Sequence, residues 1–261
     1  MEEKRVAIVT GGTRGMGQAI SIDLAKKGNI VVAVYRSDEE SAKKTEKILG
    51  DIHAENAVYK ADVADENETL KLAEEIGKKH GRIDILVNNA GIFGFRFIDE
   101  MDAEYLDKVL NVNFKSQFFM VKAVLPYMKK QKYGRILNAS SISGRFADGG
   151  LVAYGASKAA VDMMTKIGAA EFGPYNITVN AYAPGIIYTD MTAAMIQERG
   201  DVQVKDVCVG RFGTGDDVAA LVGFLASEEA GYITGEIIGI DGGMFKVQNA
   251  YLAAEYAEKN R

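Results

Sequence analysis

With 261 residues, 48% of them apolar and 26% charged, the chain has material for a sizeable core, which excludes a disordered polymer. The 31 Lys and Arg against 36 Asp and Glu leave a net charge of −5, so a nucleic-acid binder or an anionic-membrane binder is not expected. The single cysteine, Cys208, permits no intrachain disulfide, and no window reaches the ~18 apolar residues of a membrane helix. Met1-Glu2-Glu3-Lys4-Arg5 carries no long apolar stretch, so no secretory leader is expected, and the expected setting is the cytoplasm.

In chain order, short apolar runs punctuate the sequence. Val6-Ala7-Ile8-Val9 comes first, followed by residues 30–35, 57–59, 83–87, 135–138, 177–180 and 236–240. These runs are near-continuous rather than alternating, the signature of strands buried on both faces of a parallel sheet. Amphipathic stretches at 15–27, 39–49, 65–79, 103–128, 154–172 and 216–225 predict the intervening helices. Gly28, Gly50, Gly81 and Gly173 fall at or just past their ends, where left-handed caps favour glycine. The pattern predicts one α/β domain over residues 1–261. Its core is a doubly wound parallel sheet of about seven strands, with helices on both faces.

Thr10-Gly11-Gly12-Thr13-Arg14-Gly15-Met16-Gly17 joins the first strand to the first helix. Glycines there permit a tight turn, and the helix start presents free N–H groups and a positive dipole end to a pyrophosphate. This makes the fold a Rossmann-type dinucleotide domain. After the second strand comes Val34-Tyr35-Arg36-Ser37, with no carboxylate to receive ribose hydroxyls. Arg36, seconded by Arg14, suits a 2′-phosphate, so NADP(H) is preferred, with NAD(H) an option. The competing reading pairs Arg36 with Asp38 or Glu39. Farther along, Asn88-Asn89-Ala90-Gly91 ends the fourth strand and Asn138-Ala139-Ser140-Ser141 ends the fifth. Tyr154 and Lys158, four apart on one helix, share a face. An ammonium beside a phenol lowers its pKa toward acid/base range, and the Ser141 hydroxyl would meet a substrate oxygen as charge develops on it.

Taken in order, these motifs resemble the short-chain dehydrogenase/reductase family, in its branch of about 250 residues. The likeness runs from Val6 to Gly243 and includes Thr-Gly-x-x-x-Gly-x-Gly, Asn-Asn-Ala-Gly, Asn113, Ser141-x12-Tyr154-x-x-x-Lys158 and Pro184-Gly185. The resemblance implies hydride exchange between a nicotinamide cofactor and a ketone or secondary alcohol. Tyr154 would be the acid/base, Ser141 would orient the carbonyl, and Lys158 would hold the ribose hydroxyls. Asn113 would hold a water in a proton relay. It is chosen over Asn111 because it lies 28 residues before Ser141; the thirteen-residue offset to Tyr154 favours Ser141 over Ser140. Asp62 and Val63 would meet the adenine, Asn89, Ala90 and Gly91 the adenosine ribose, and Ile187 and Thr189 the carboxamide. A homotetramer or homodimer, built partly through the long fourth and fifth helices, is implied as well.

Residues 189–212, with Met191, Met195 and Ile196, look like the family's variable substrate lid, and residues 244–261 form a tail carrying Phe245, Tyr251, Leu252 and Tyr256. The chain is similar to 3-oxoacyl-thioester reductases and to bacterial hydroxysteroid dehydrogenases. Reductases acting on carrier proteins often present basic residues at the site entrance. Here Lys132 stands at one such place and Tyr175 at the other, which with the acidic net charge argues against an acidic carrier. The tail argues for a hydroxysteroid-like apolar ketone. Reduction of a 3-oxoacyl thioester is the alternative. A non-catalytic NADP-sensing module is the reading from another class, opposed by the complete Asn113, Ser141, Tyr154 and Lys158 set. His53 and His80 are isolated, so no metal site is expected; both should face solvent, and Cys208 should be a packed thiol.

Overall fold

The computed structural model describes residues 4–260; residues 1–3, where no leader is expected, and Arg261 lie outside the described residues. Seven strands form one all-parallel sheet: β1 (Val6–Thr10), β2 (Ile30–Tyr35), β3 (Ala57–Lys60), β4 (Ile85–Asn88), β5 (Gly134–Ala139), β6 (Ile177–Pro184) and β7 (Ile237–Ile240). Their order is β3-β2-β1-β4-β5-β6-β7, so the direction of winding reverses between β1 and β4. Ligands of such sheets bind outside the carboxyl strand ends at that reversal.

Strand residues alternate between two cores, one on each side of the sheet. On one side Ile8, Val32, Leu86 and Ile136 pack with Leu72 and Ile76 of α3 (Glu66–His80) and with Met120 and Val124 of α5 (Ser116–Gln131). On the other, Val9, Val31, Val87 and Leu137 pack with Ile20 and Leu24 of α1 (Gly15–Lys26) and with Val222 and Leu225 of α8 (Gly215–Leu225). Each such side chain is wholly buried or nearly so, worth roughly 1.5–3 kcal/mol apiece before entropy is counted. The remaining helices are α2 (Glu39–Ile52), α4 (Ala103–Leu110), α6 (Val152–Phe172), α7 (Ala193–Gln203) and α9 (Tyr251–Lys259).

Three local departures from the sequence pattern matter. The helix expected over 103–128 is divided: α4 ends at Leu110, a π-helical turn spans Asn111–Lys115, and α5 follows. Such a turn accommodates an extra residue and redirects the side chains it carries. Gly50 lies inside α2 because the helix runs one more turn, to Ile52, which packs against the core. Gly173 is right-handed, with Asn176 taking the left-handed position (φ 58°) instead; Gly28 and Gly81 are left-handed as expected. Among the described residues no helix is long and apolar enough to cross a membrane.

Candidate active site

The reversal point is held by side chains on three strands. Thr10, at the end of β1, accepts through Oγ1 from the backbone N–H groups of Asn89 (2.9 Å) and Ala90 (3.0 Å). Asn89 Nδ2 donates back to the carbonyls of Thr10 and Gly11, at 3.1 and 3.2 Å. Its Oδ1 accepts from the buried Tyr182 hydroxyl of β6 at 3.2 Å. Gly11 is left-handed (φ 61°), and a side chain at Gly17 would collide with the Gly11 carbonyl and the Asn89 amide. The first turn of α1 receives no side-chain cap from Arg14, so its N–H groups are available to an anion. This cradle fits a dinucleotide pyrophosphate.

A cleft opens from this turn, walled by Gly11, residues 13–17, 34–38, 61–64 and 89–92, Val112 and residues 189–191. Thr13, Arg14, Gly15, Met16, Gly17, Arg36, Ser37, Asp62, Val63, Asn89, Ala90, Gly91 and Thr189 therefore share one wall. Gly12, Pro184, Gly185 and Ile187 lie behind it. Gly12 is locked beneath the turn, its N–H donating to the Val34 carbonyl at 3.0 Å. Pro184 closes β6, and Gly185 donates to Ile240. The Ile187 side chain is buried in the core, and its carbonyl accepts from Thr192 Oγ1 at 2.6 Å.

Farther along the cleft wall, Arg36 Nη1 lies 4.0 Å from Asp62 Oδ2, not the Asp38 or Glu39 of the competing reading. Glu39 is taken by Lys60 (2.7 Å) and by the Tyr35 hydroxyl (2.8 Å). Hydrogen bonds from Ser41, helped by the charge of Arg14, hold the Asp38 carboxyl below its usual range.

Beyond the cleft wall, beside Gly91, stand the groups with acid/base capacity, none of which lines the cleft itself. Asn113, wholly buried in the π turn, accepts at Oδ1 from the Ile92 N–H (2.8 Å) and donates from Nδ2 to the Ile92 carbonyl (3.0 Å) and Ser157 Oγ (3.2 Å). Ser141 follows β5 and accepts from the Ser143 N–H at 3.2 Å. Its neighbour Ser140 turns away and donates to Asp162. Lys158 is 3% exposed and donates from Nζ to the Ala139 carbonyl at 2.8 Å. Its Nζ lies 5.6 Å from the centre of the Tyr154 ring, and Gly91 leaves room for it and for the Asn113 amide.

The electrostatics differ from the simple expectation. Burial pushes the Tyr154 phenol above its ordinary value, and the opposing influence is its hydrogen bond with Ser141. Burial also brings the Lys158 ammonium down to about 8, against the charge of Asp162. Lys158 spends its donor on a backbone carbonyl, and both groups share a dry setting, so the ammonium does not lower the phenol here as the spacing alone suggests.

Sequence reading quoted Thr10 within the turn but missed its bracing role, and it missed Tyr182, which braces Asn89, and Phe93, whose ring meets Tyr154 edge-on at 5.0 Å. Only a polar side chain at a strand end hinted at the first. His53 and His80 are half-buried rather than solvent-facing, because each closes the end of a helix against neighbouring chain. Cys208 is exposed rather than packed; the left-handed Gly243 backbone folds back to it and accepts from Sγ at 3.3 Å. Among the described residues no group of three or more His, Cys, Asp or Glu is placed to hold a metal.

Fold and site together are those of an oxidoreductase built on a dinucleotide-binding sheet. Residues 11–245 match the protein family described as enoyl-(acyl carrier protein) reductase. The chain is 40% identical over 245 residues to the 3-oxoacyl-(acyl-carrier-protein) reductase FabG of Thermotoga maritima, covering 93% of this chain and 98% of that protein. For the enzyme of the same name from Staphylococcus aureus the identity is 37% over 248 residues, covering 94% and 100%. A crystal structure of gox2181 superposes with a TM-score of 0.89 at 31% identity, covering 94% of this chain and 97% of that one. The chain belongs to the short-chain dehydrogenase/reductase family, and as such acts on CH–OH groups.

Proposed function

We propose that the chain reduces the keto group of a 3-oxoacyl thioester to a secondary alcohol with NADPH. Near full-length identity to relatives named for that reaction carries the proposal. The hydroxysteroid expectation rested on the C-terminal tail, and it gives way. No residue of α9 is buried, so this helix does not close over an apolar site. Phe245 merely touches Phe146, with ring centres 5.5 Å apart. The objection drawn from Tyr175 weakens too: Lys129 sits 4.7 Å above its ring, so positive charge is retained beside the position that lacks a basic residue. That supports an acidic carrier as the thioester's bearer.

In this reading the glycine turn and the start of α1 hold the pyrophosphate, and Arg14 and Arg36 the 2′-phosphate. Asp62 and Val63 border the adenine, while Asn89, Ala90 and Gly91 border its ribose. Thr189 and the backbone around Pro184, Gly185 and Ile187 hold the carboxamide. When bound, the reduced nicotinamide supplies the hydride. Ser141 donates to the substrate carbonyl oxygen and Tyr154 passes its phenolic proton to that oxygen, leaving phenolate. Lys158 holds the ribose hydroxyls. Asn113, braced by Ile92 and Ser157, anchors the water relay that returns the proton. Residues 189–212 act as the lid, with Met191 on the cleft wall and Arg199 5.9 Å from the Phe95 ring. The exposed Met163 and Ile167 on α6 and Phe118 on α5 support a homo-oligomer, set in the cytoplasm.

Purified protein should be assayed with NADPH and NADH against 3-oxoacyl thioesters of coenzyme A and of acyl-carrier protein, and against oxo-steroids. We expect kcat/KM for a thioester with NADPH to exceed the oxo-steroid and NADH values by about tenfold or more. Preference for an oxo-steroid would overturn the proposal.

A further inference from the structure

The roles above leave one buried carboxylate unused. Asp162 lies one turn beyond Lys158 and two turns beyond Tyr154, on the same face of α6, and is 8% exposed. Three ties converge on it from outside the helix. Ser140, at the end of β5, donates to Oδ1. Arg145 places Nε 3.7 Å from Oδ2, while Nη2 of the same guanidinium donates to the Ile237 carbonyl of β7 at 2.6 Å. Between them Gly144 presses against α6: a Cβ there would stand 3.1 Å from the Lys158 carbonyl carbon and 3.3 Å from Asp162 Oδ2. Ser141 sits in the middle of this fastened segment. A buried carboxylate is costly unless it is hydrogen-bonded and paired, and here the pairing spans the two elements that must meet in register.

We infer that Asp162 is a positioning residue: through Ser140 and Arg145 it fixes Ser141 opposite Tyr154, and it places a negative charge one turn from Lys158 on the same face of α6. The inference rests on the acid/base reading of Tyr154 and Lys158. The charged groups facing Asp162 are Arg145 from the segment after β5 and Lys166 and Lys158 from α6 itself; all three, with the Ser140 bond, oppose the upward push of burial on its carboxyl. Lys158 in turn is faced by the Tyr154 ring, the Ala139 carbonyl and the charge of Asp162. Removing that negative charge disfavours the ammonium, so Lys158 loses its proton at lower pH.

Two substitutions separate the roles. Asp162→Asn keeps the shape and a partner for Ser140 but deletes the charge; Ser140→Ala keeps the charge but deletes the bond. With a 3-oxoacyl thioester and NADPH, Asp162→Asn should lower kcat about tenfold and move the alkaline limb of the kcat profile down by about one pH unit, with KM little changed. Ser140→Ala should lower kcat and leave the limb in place. A nuclear magnetic resonance titration of Lys158 in lysine-labelled protein should show the same downward move in Asp162→Asn without any turnover. An unmoved limb together with an unmoved Lys158 titration would overturn the inference. So would a kcat loss explained entirely by reduced folding stability. Failure of the parent reading shows separately, as wild-type turnover in Tyr154→Phe, because the Lys158 titration does not depend on activity.

Discussion

In the proposed catalytic group beside Gly91, Asn113, Ser141 and Lys158 are 0%, 7% and 3% exposed, whereas on the cleft wall proposed for the adenosine 56% of the Arg36 side chain stands in solvent. Each catalytic-end side chain is hydrogen-bonded to backbone: Asn113 to Ile92, Ser141 to Ser143, Lys158 to Ala139. Arg36 has one loose carboxylate neighbour at 4.0 Å. Groups that move protons must keep one geometry and one dielectric, and burial among satisfied partners provides both. In the proposed role of Arg36, choosing between two cofactors needs only a charge in the right place. An exposed pair held loosely contributes little to folding, and it can exchange its neighbour for a phosphate at small cost.

If the catalytic end works as proposed, the largest effect follows from its proton donor. Tyr154→Phe should reduce turnover by roughly 10²–10⁴-fold, the usual worth of a general acid, with NADPH affinity nearly unchanged. Stopped-flow reduction and cofactor fluorescence read the two quantities; comparable losses in both would show that Tyr154 binds rather than reacts. Asn113→Ala comes next and tests rigidity. The substitution leaves the half-buried Ile92 N–H and carbonyl without their partner, at up to about 1–3 kcal/mol for each unsatisfied group. Calorimetry should show Tm lower by about 5 °C or more, and an unchanged Tm would mean that water replaces the amide freely. The smallest effect belongs to the exposed end. Arg36→Ala should weaken NADPH about tenfold and NADH about twofold at most, with no measurable change in Tm. Equal weakening of both cofactors would erase the contrast between the two ends.

Much of the fold was legible because its signals are local. Residues 30–35 read as a strand from their apolar run, and that is where β2 lies. The glycine turn, the Tyr154–Lys158 spacing and the paired serines could also be read directly. The helix expected over 103–128 failed at the π turn, since its residues keep helical periodicity on either side, and the bonds that tie the wider turn run from Asn113 to Ile92 and Ser157, 21 and 44 residues away. The competition between Ser140 and Ser141 was decided in sequence by an offset. Structurally it is decided by Asp162, which takes the first and leaves the second facing Tyr154. The tail looked amphipathic enough to cover a site, yet amphipathicity says only that a helix has an apolar face, not what that face meets.

The sequence by itself determined the parallel sheet, the glycine turn and the candidates for an acid/base pair, because those depend on residues within a few positions of one another. Tertiary structure alone decided which carboxylate Arg36 faces, which serine meets Tyr154 and how strongly Tyr154 and Lys158 hold their protons. Those properties are set by burial and by partners far away along the chain, such as Tyr182 on Asn89 across 93 residues, and no local spacing encodes them.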